Sequence, residues 1–360
     1  MYDIAIVGGG IAGASLAYFA NKNGKRVAII DKDNLSNSAS AAAGAFLSPK
    51  FGPKSSYNDF INRAYIYSLD FYKENFPHLL NESGMLRIPR NEEEKLTCKE
   101  YASNSIFWKK KENGYFCESV ATIKSLPTIL EMIKNCDIFL GEEVKSFERK
   151  DDIWYINDDI ETKHLVLATG ANLLINEPYL HVKPIFGQRL EAYTKKGLNY
   201  NIHRSCSVSA VNDENIVYIG ASHIPSWRYE NSEILFDAAK QKLIDEANSL
   251  LDDSVEVISE IRGFRSSTLD YFPFVGEVIN AKKTLEENRP LYHGLKVKED
   301  KYTYYKNLWI HTGHGARGFV LSPYTAKQLY AQMFNDEIDI EEKEITLGRA
   351  IIRYARKIKL

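Results

Sequence analysis

The feature that most constrains this chain is a glycine-rich turn at its start. Residues 4–7 form a short apolar run typical of a buried parallel strand, and residues 14–20 predict a helix. Between them, Gly8, Gly10 and Gly13 give the spacing G-x-G-x-x-G. The first glycine permits a tight turn, the second lets a pyrophosphate approach the backbone, and the third lets helix and strand pack closely. The segment therefore predicts the first half of a dinucleotide-binding βαβ unit.

The next strand completes this unit. Residues 26–30 form a second apolar strand that ends in Asp31, whose carboxylate can accept hydrogen bonds from a ribose and disfavours a 2′-phosphate. The start of the helix, at Ile11 and Ala12, is expected to face the phosphates with free N–H groups and a partial positive charge. Lys32 follows the acid and is expected in the same site. Because strand, turn, helix, strand and acid follow in order, we predict an adenine-dinucleotide cofactor; the alternative is a glycine-rich turn in another βαβ unit.

A later strand favours FAD over a nicotinamide cofactor. Residues 165–167 are apolar and lead into an Ala-Thr-Gly turn, in which Ala168 and Gly170 are expected to approach the dinucleotide at the carboxyl edge of a parallel sheet. Flavoproteins with two dinucleotide folds carry such a turn after a β-meander, whereas simple nicotinamide dehydrogenases usually do not. Val144, in a strand predicted at 144–147, is placed in the same cofactor site.

Small residues fill the loop that follows the predicted ribose-binding acid. Residues 34–45 are mostly Ser, Asn and Ala and end in Ala45. Side chains this small let a backbone approach a flat ligand, so we expect the loop and Ala45 to lie against the cofactor. A plain surface loop and a short Ala-rich helix are the alternatives.

A second strand, glycine turn and helix recur towards the end of the chain. An apolar strand precedes G-H-G-A-R-G at 313–318, and a helix is predicted at 319–334. This helix start, with Gly315 and Gly318, is suited to stabilise negative charge on a reduced flavin, and Arg317 can favour its anionic form. The alternatives are a turn that serves packing alone and an Arg317 that contacts solvent or a phosphate.

Composition adds few constraints. The chain has 360 residues, 44% hydrophobic residues and a net charge of −2, which suits two globular domains and singles out no partner. Its four cysteines show no C-x-x-C pattern, and the close pair His311 and His314 has no further ligand nearby, so we expect reduced thiols and no metal. No apolar stretch reaches the roughly 18 residues that span a bilayer. The glycine motif begins at the first residues and leaves no room for a targeting peptide, so we expect a cytoplasmic protein without membrane association.

The remaining pattern predicts a second sheet that is mostly antiparallel. Helices are predicted at 57–76, 126–134 and 234–251, and strands at 85–88, 189–193, 206–211 and 217–220. The polar and charged segment 90–120 is expected on a solvated face. The expected division places 1–84, 137–185 and 258–360 in a discontinuous dinucleotide-binding domain, and 86–136 and 186–257 in a substrate domain.

With these blocks in order, the chain resembles the glycine oxidase/D-amino-acid oxidase (DAO) family of flavoproteins. The resemblance is carried by the segments 8–13, 168–170, 187–188, 263–265, 274–276 and 313–318. Within the family, the likeness is greatest to the oxidoreductase domains of MnmC-type tRNA wobble-uridine modification enzymes, through the segments 218–222, 263–276, 316–323 and 347–360. The resemblance implies an α/β fold: a Rossmann-like FAD-binding domain with an inserted, mostly antiparallel β-sheet substrate domain.

The resemblance also implies a reaction. It is the oxidation of a glycine-like secondary amine, with hydride transfer from the α-carbon to flavin N5. In the MnmC-like case the substrate is 5-carboxymethylaminomethyl uridine in tRNA, which yields glyoxylate and 5-aminomethyl uridine. Arg265 matches the family's arginine for the substrate carboxylate, a task that suits a guanidinium fork; the alternative is a structural salt bridge. Relatives with covalent flavin use a cysteine in the C-terminal part, and none follows Cys206, so we expect non-covalent FAD.

The C-terminal segment predicts a contact with RNA. Residues 347–360 contain no acid and five basic residues, and helical spacing places Arg349, Arg353 and Arg356 or Lys357 on one face, with Lys359 beyond them. Such a face is suited to the tRNA phosphate backbone; the alternative is an ordinary solvated terminal helix.

Two other functions remain open from the sequence. One is a free-standing glycine or sarcosine-type small-amine oxidase, and the other is a flavin-binding tRNA-interaction protein without catalysis. The methyltransferase domain that precedes the oxidoreductase domain in the bifunctional MnmC enzymes is missing from this sequence. A separate methyltransferase acting on the product is therefore the expected partner if the modification goes further.

Overall fold

The computed structural model describes residues 1–225, 232–293, 295–337 and 342–358. The helices in these ranges are α1 (Ile11–Lys22), α2 (Ser56–Asn75), α3 (Glu92–Ser103), α4 (Ser125–Ile133), α5 (Ser232–Leu251), α6 (Ala281–Glu287), α7 (Gly318–Phe334) and α8 (Gly348–Lys357). None of the helices in the described ranges has the length and apolar character needed to cross a membrane.

The strands are short and numerous. In chain order they are β1 (Tyr2–Val7), β2 (Val27–Asp31), β3 (Phe46–Leu47), β4 (Leu80–Asn81), β5 (Met85–Arg87), β6 (Lys109–Lys111), β7 (Gly114–Cys117), β8 (Ala121–Ile123), β9 (Asp137–Leu140), β10 (Phe147–Lys150), β11 (Ile153–Ile156), β12 (Ile160–Leu167), β13 (Val182–Tyr193), β14 (Asn201–His203), β15 (Ser207–Val208), β16 (Ile216–Gly220), β17 (Ile224–Pro225), β18 (Glu256–Thr268), β19 (Phe274–Ile279) and β20 (Tyr304–Thr312).

The first sheet carries the predicted dinucleotide motif. Among the described residues its order is β10-β11-β12-β1-β2-β9, with β20 beside β12 and β19 beside β20. β1 is parallel to β2 and to β12, and β12 is parallel to β20. Because parallel strands end at the same edge, the turns after β1, β2, β12 and β20 meet there. The tertiary structure thus unites the separate glycine-rich signals of the sequence.

Helices cover both faces of this sheet. One apolar cluster joins Ile4 and Ile6 of β1 to α1, α2, α4 and α7, while Ala5 and Val7 belong to the cluster on the opposite face, which includes α8. This alternation follows from the two-residue period of a strand, and burial on both faces explains why β1 is apolar throughout. The predicted α/β class and the Rossmann-like sheet are confirmed.

The second sheet is almost entirely antiparallel. Its order within the described ranges is β17-β13-β16-β15-β14-β5-β7-β6, with β18 also paired to β13; the pair β14–β5 is parallel. β13 and β18 pair along nearly their whole length, from Val182 opposite Thr268 to Tyr193 opposite Glu256. The predicted domain boundary at 185/186 falls inside β13, and that at 257/258 falls inside β18. The proposed division into two domains therefore stays a prediction. A small third sheet has the order β3-β8-β4.

Several predicted elements are corrected by the structure. The strand predicted at 144–147 is wrong, because β10 begins only at Phe147. The Asn157 side-chain oxygen accepts the backbone N–H groups of Lys145 at 2.8 Å and of Ser146 at 3.3 Å, which replaces strand pairing at this point. The strand predicted at 206–211 shortens to β15, and that predicted from 189 begins at Val182.

The segment 90–120 is not a uniformly solvated face. Its charged residues include the exposed first turn of α3, but Trp108 and Tyr115 are buried at 4% and 5% exposure. Both contact Phe51, whose ring centre lies 5.1 Å from that of Trp108 and 5.9 Å from that of Tyr115. Residues remote in sequence thus complete a small aromatic core that the local polar composition concealed.

Candidate active site

A cavity of about 920 Å³ lies at the carboxyl edge of the first sheet. Its lining comes from the turns after β1, β2, β9, β12 and β20, from the small-residue loop 34–45, and from strands of the second sheet. Most of the residues predicted to contact the cofactor line it: Gly8, Gly10, Ile11, Ala12, Asp31, Lys32, Ala45, Val144, Ala168, Gly170, Gly315 and Gly318. Their individual roles as cofactor contacts remain predictions.

The glycine-rich turn is shaped by close backbone approaches. Gly8 has a φ of +105°, and a Cβ there would lie 2.4 Å from the carbonyl oxygen of Ala168. Gly13 does not line the cavity, but a Cβ at this position would lie 2.0 Å from the carbonyl oxygen of Gly8. Larger residues at either position would push β1, α1 and the turn after β12 apart. The predicted mechanical use of both glycines therefore matches their surroundings.

Asp31 is held at the end of β2 by backbone donors. Its Oδ2 accepts the N–H of Gly9 at 2.7 Å, and its Oδ1 accepts the N–H of Asp33 at 3.0 Å. A carboxylate has about four acceptor positions, so these two bonds orient the group and leave capacity for ligand hydroxyls. The geometry fits the predicted ribose contact.

The small-residue loop is tied to the site at two points. Ser40 Oγ accepts the N–H of Ile11 at 3.0 Å, at the first turn of α1, and Arg189 donates to the carbonyl oxygen of Ala43 at 2.8 Å. The loop lines the cavity and is not an Ala-rich helix. The preference for a loop that lies against the ligand is thus supported by its position.

The residues present fit an adenine dinucleotide. The first turn of α1 has no acidic residue, and its N-cap, Gly10, has no side chain over the helix end. Ser40 accepts the N–H of Ile11, and the rest of the first turn offers N–H groups and a partial positive charge to phosphates in the cavity. Acidic side chains that line the cavity, Asp31, Asp33, Glu142 and Glu143, lie at the ends of β2 and β9. The acidic part of the cavity suits the uncharged nucleoside of the dinucleotide, because its hydroxyl groups can donate hydrogen bonds to the carboxylates.

Arg265 enters the cavity from the second sheet. It lies on β18 opposite Ile185, and its Nη2 donates to the carbonyl oxygen of Ser222 at 2.9 Å. A Cβ at Gly187 would lie 2.1 Å from Arg265 Nη2, so Gly187 leaves the room that the guanidinium occupies. Burial lowers the pKa of Arg265, and no acid in the described residues forms an ion pair with it. The salt-bridge alternative is therefore not seen there, and an anionic ligand would stabilise this charge.

Arg317 lies in the turn between β20 and α7. Its Nη1 donates to the carbonyl oxygen of Ser48 at 2.9 Å, which fixes the side chain against the chain segment after β3. Burial lowers the pKa of Arg317, the charge of Tyr57 opposes this and that of Arg87 adds to it. No carboxylate within the described ranges pairs with Arg317, so its charge is available to the cavity.

Sequence reasoning missed three further cations in the cavity lining, Lys50, Arg87 and Arg262, of which Arg262 pairs with Glu233 and Glu260. Burial, together with the charges of Arg317 and Arg87, lowers the pKa of Lys50 to about 8. Arg87 lies over the Phe51 ring at 5.0 Å and is 3.7 Å from Glu94. Only the tertiary structure reveals this cationic group, because Lys50 follows a plain loop and Arg87 ends a three-residue strand.

The close histidine pair has a structural role. His311 Nδ1 lies 3.0 Å from the carbonyl oxygen of Ala12, and its Nε2 lies 2.8 Å from Thr325 Oγ1, which also lies 3.3 Å from His314 Nε2. Burial lowers the pKa of His311 to about 4 and that of His314 well below its usual value. Both rings are therefore neutral at physiological pH and join α1 to α7.

The RNA contact predicted for the C-terminal helix stays a prediction, but its first two arginines pair with an acid. Arg349 donates to Asp270 Oδ2 at 3.0 Å and to the carbonyl oxygen of Phe272 at 2.6 Å, and Arg353 also pairs with Asp270. Their side chains are 16% and 35% exposed. Asp270 is far from them in sequence, so the helical spacing alone could not show that a carboxylate offsets one of their two charges. Arg356 and Lys357 are exposed, and Lys359 lies outside the described residues.

Cys206 also lines the cavity. Its thiol is buried, and burial together with the charge of Glu246 raises the pKa to about 12 in spite of Arg204. Nucleophilic attack requires the thiolate, which is scarce at such a pKa. The cysteine nearest to the predicted flavin site is thus unreactive.

Comparison with known proteins agrees with this geometry. The family model described as FAD dependent oxidoreductase (DAO) matches residues 3–332. The bifunctional protein MnmC of Legionella pneumophila (strain Corby), named for tRNA 5-methylaminomethyl-2-thiouridine biosynthesis, is 28% identical over 98% of this chain and 57% of its own length. The protein of the same name from Campylobacter fetus is 25% identical over 88% of this chain and 53% of its own. The chain thus spans little more than half of these relatives.

Solved structures share the fold at low sequence identity. Glycine oxidase from Geobacillus kaustophilus has a TM-score of 0.76 and 18% identity, over 96% of this chain and 98% of its own. Iminodiacetate oxidase from Chelativorans sp. has a TM-score of 0.73 and 15% identity, over 95% and 98%. These likenesses confirm the architecture predicted from the sequence. With a family match along most of its length and a cavity that fits the dinucleotide, this chain belongs to the DAO family of FAD-dependent oxidoreductases.

Proposed function

We propose that this protein oxidises the carboxymethylaminomethyl group of 5-carboxymethylaminomethyl(-2-thio)uridine at the wobble position of tRNA. The products are glyoxylate and 5-aminomethyl(-2-thio)uridine. The observation that carries the proposal is the group of cations Arg265, Arg317 and Lys50, which line the cavity without an acid partner in the described residues. The MnmC relatives, similar along 98% and 88% of this chain, supply the nucleotide context.

The chemistry follows from the substrate. FAD, when bound, accepts the two electrons and the hydrogen that leave the α-carbon of the glycine unit. The substrate nitrogen and α-carbon then share a double bond, to which water adds. Cleavage of that carbon–nitrogen bond releases glyoxylate and leaves the primary amine on the base. Atoms balance with one water consumed.

Arg265 is proposed to bind the substrate carboxylate. A guanidinium presents two parallel N–H donors to a carboxylate, and this bidentate geometry orients the α-carbon as well as stabilising the charge. Arg317, fixed by Ser48, is proposed to stabilise negative charge at the flavin end of the cavity. Neither residue has to move a proton, since a neutral amine can lose hydrogen from carbon directly.

A free-standing glycine or sarcosine-type oxidase is the second candidate. It is favoured by the fold likeness to glycine oxidase over 96% of this chain. The cationic lining argues for the larger substrate: Arg87 lies on β5, five strand steps from Arg265 on β18 in the order of the second sheet. A free glycine held at Arg265 has no second anionic group to offer to Arg87 and Lys50.

The deciding experiment is anaerobic reduction of the flavin by two substrates. One is tRNA that carries the carboxymethylaminomethyl group, and the other is glycine or sarcosine at high concentration. We expect bleaching of the flavin by the tRNA, with one glyoxylate released per flavin reduced. Bleaching by the small amine alone would assign the protein to the second candidate. A flavin that neither substrate bleaches would indicate a binding protein without this chemistry.

FAD is expected to be bound without a covalent link, because Cys206 is held as an unreactive thiol. Acid precipitation of the protein should therefore leave the yellow chromophore in the supernatant. Flavin that remains in the pellet would contradict this. The same preparation can be assayed for the aminomethyl product, on which a methyltransferase supplied elsewhere would act.

A further inference from the structure

Strand register aligns four side chains in a row across the second sheet. His203 of β14 is the register partner of Arg87 on β5, Arg87 of Tyr115 on β7, and Tyr115 of Lys110 on β6. Register partners on neighbouring strands point to the same face of a sheet. His203 and Arg87 line the cavity. The row therefore leads from the cavity to the outer edge of the sheet.

The edge strand at the end of this row consists of three lysines. Lys109, Lys110 and Lys111 are all exposed, and β6 pairs with β7 alone among the described strands. Trp108, directly before them, is buried and lines the cavity, so the lysines begin at the cavity rim. Lys110 Nζ lies 5.3 Å from the centre of the Tyr115 ring, on the face of the row. Lys109 and Lys111 point to the opposite face, where Lys111 Nζ lies 4.3 Å from the centre of the Phe116 ring. Within the described ranges no acid forms an ion pair with any of the three.

Lys50 continues this positive charge inside the cavity. Its ammonium group is half-buried close enough to Arg317 and Arg87 for both charges to act on it. The acids of the cavity lining follow β2 and β9 of the first sheet. Arg87 and Trp108 both contact the Phe51 ring, so this cationic part of the lining adjoins the start of β6.

We propose that Lys50, Arg87 and the β6 lysines form a phosphate track, a binding surface for the backbone of the RNA strand that carries the substrate nucleotide. Lys110 lies on the cavity face of the edge strand, and Lys109 and Lys111 flank it on the opposite face. Arg87 belongs to the track although Glu94, at 3.7 Å, offsets part of its charge. This inference rests on the proposed function and adds to it the surface by which the nucleic acid is held. From β5 to β6 the track crosses two strand spacings, about 10 Å, so it spans more than one phosphate of a bound strand. We expect it to contribute more than the C-terminal helix, since Asp270 offsets one of the two charges of Arg349 and Arg353.

The test compares two triple charge reversals of equal size. The first changes the edge strand: Lys109→Glu, Lys110→Glu and Lys111→Glu. The control changes three exposed lysines outside the cavity lining: Lys282→Glu, Lys283→Glu and Lys298→Glu. For each protein, rates of anaerobic flavin reduction are measured with modified tRNA and with the isolated nucleoside 5-carboxymethylaminomethyluridine, which has no phosphate. Flavin content and the unfolding midpoint check that both variants fold.

If the phosphate track binds RNA, the edge-strand variant should react more slowly with tRNA but not with the isolated nucleoside. For the edge-strand variant, we expect the ratio of the second-order rate constants for tRNA and nucleoside to fall by at least about tenfold. The slope of log affinity for tRNA against log salt should fall by about two, since a single-stranded phosphate contact contributes roughly 0.7. The control should keep both values.

Two results would overturn the inference. An unchanged ratio in the edge-strand variant, with active wild-type protein, would mean that the lysines only protect an exposed sheet edge from pairing with other chains. That result leaves the proposed function intact. A wild-type flavin that neither tRNA nor nucleoside reduces would instead remove the proposed function, and the phosphate track with it.

Discussion

Two regions of the molecule carry arginine and lysine side chains: the cavity and the C-terminal helix. They differ in whether an acid forms an ion pair with these side chains. On the helix, Arg349 and Arg353 share the carboxylate of Asp270. In the cavity, Arg265, Arg317 and Lys50 have no such partner in the described residues. The comparison shows that the position of a positive charge in the sequence does not reveal whether the fold places an acid beside it. The following predictions test each side of this comparison.

The largest expected effect is at Arg265. The change Arg265→Ala removes a charged hydrogen-bonding group worth about 1.5–3 kcal/mol, so the apparent KM for a carboxylate substrate should rise by roughly 10- to 100-fold. Steady-state kinetics measure this. Arg265→Lys is the matched control: it retains the charge but loses the fork, and should lie between the wild type and the alanine variant. An unchanged KM in Arg265→Ala would remove this residue from the substrate site.

Asp270 tests the arginines of the C-terminal helix that pair with an acid. The change Asp270→Asn leaves two arginines without their carboxylate, and we expect the free energy of unfolding to fall by about 2 kcal/mol, less than for a fully buried pair because the group is partly exposed. Chemical denaturation measures this loss. Flavin content should be retained. If stability is unchanged, the ion pairs at Asp270 contribute nothing net to folding.

The same carboxylate predicts a pH dependence. Burial raises the pKa of Asp270, but the hydrogen bonds and charges of Arg349 and Arg353 outweigh this and hold it below its usual value. A depressed folded-state pKa gives stability that is present above the unfolded value of about 4 and is lost as the pH falls through the folded value. The wild type should therefore lose more stability than Asp270→Asn as the pH is lowered below about 4. Parallel curves for the two proteins would contradict the assignment.

Lys50 tests the cavity cations that have no acid partner in the described residues, and its expected effect on activity is smaller. With its pKa lowered to about 8 by burial and by Arg317 and Arg87, Lys50 loses its charge as the pH rises through that value. We expect kcat/KM for the modified tRNA to decline above about pH 8, by roughly three- to tenfold, and Lys50→Met to abolish this decline. Lys54→Met, at an exposed lysine of the same segment, is the control and should keep it. A decline that survives in Lys50→Met would assign the titration to another group.

The smallest effect is expected at the end of the C-terminal helix. Arg356 and Lys357 are exposed. They contribute only two charges in addition to the two arginines that pair with Asp270. The double reversal Arg356→Glu and Lys357→Glu should weaken tRNA binding by about threefold, less than the reversal of the β6 lysines. Fluorescence anisotropy with labelled tRNA compares the two. A larger loss here than on β6 would return the main RNA contact to the helix.

Local sequence determined the cofactor half of the molecule. The strand at 4–7, the glycines at Gly8 and Gly13 and the acid at Asp31 follow one another within the reach of a single βαβ unit, so each property can be derived from neighbouring residues. The α/β class and an FAD cofactor were predicted from such local segments, and the DAO family from a resemblance in several short motifs; the family match and the fold comparisons confirm them. Individual site roles, such as that of Arg265, remain predictions, although the structure brings Arg265 and Arg317 to one cavity.

Only the tertiary structure decided where the free positive charge lies. Asp270 neutralises Arg349 from a position 79 residues earlier in the chain, and no helical spacing can reveal such a partner. The register of the second sheet aligns Arg87 with Lys110 through Tyr115, and Lys50 reaches the same cavity from a loop. A sequence records which charges a chain has, but their effect depends on burial and on neighbours, and both are set by contacts between distant segments.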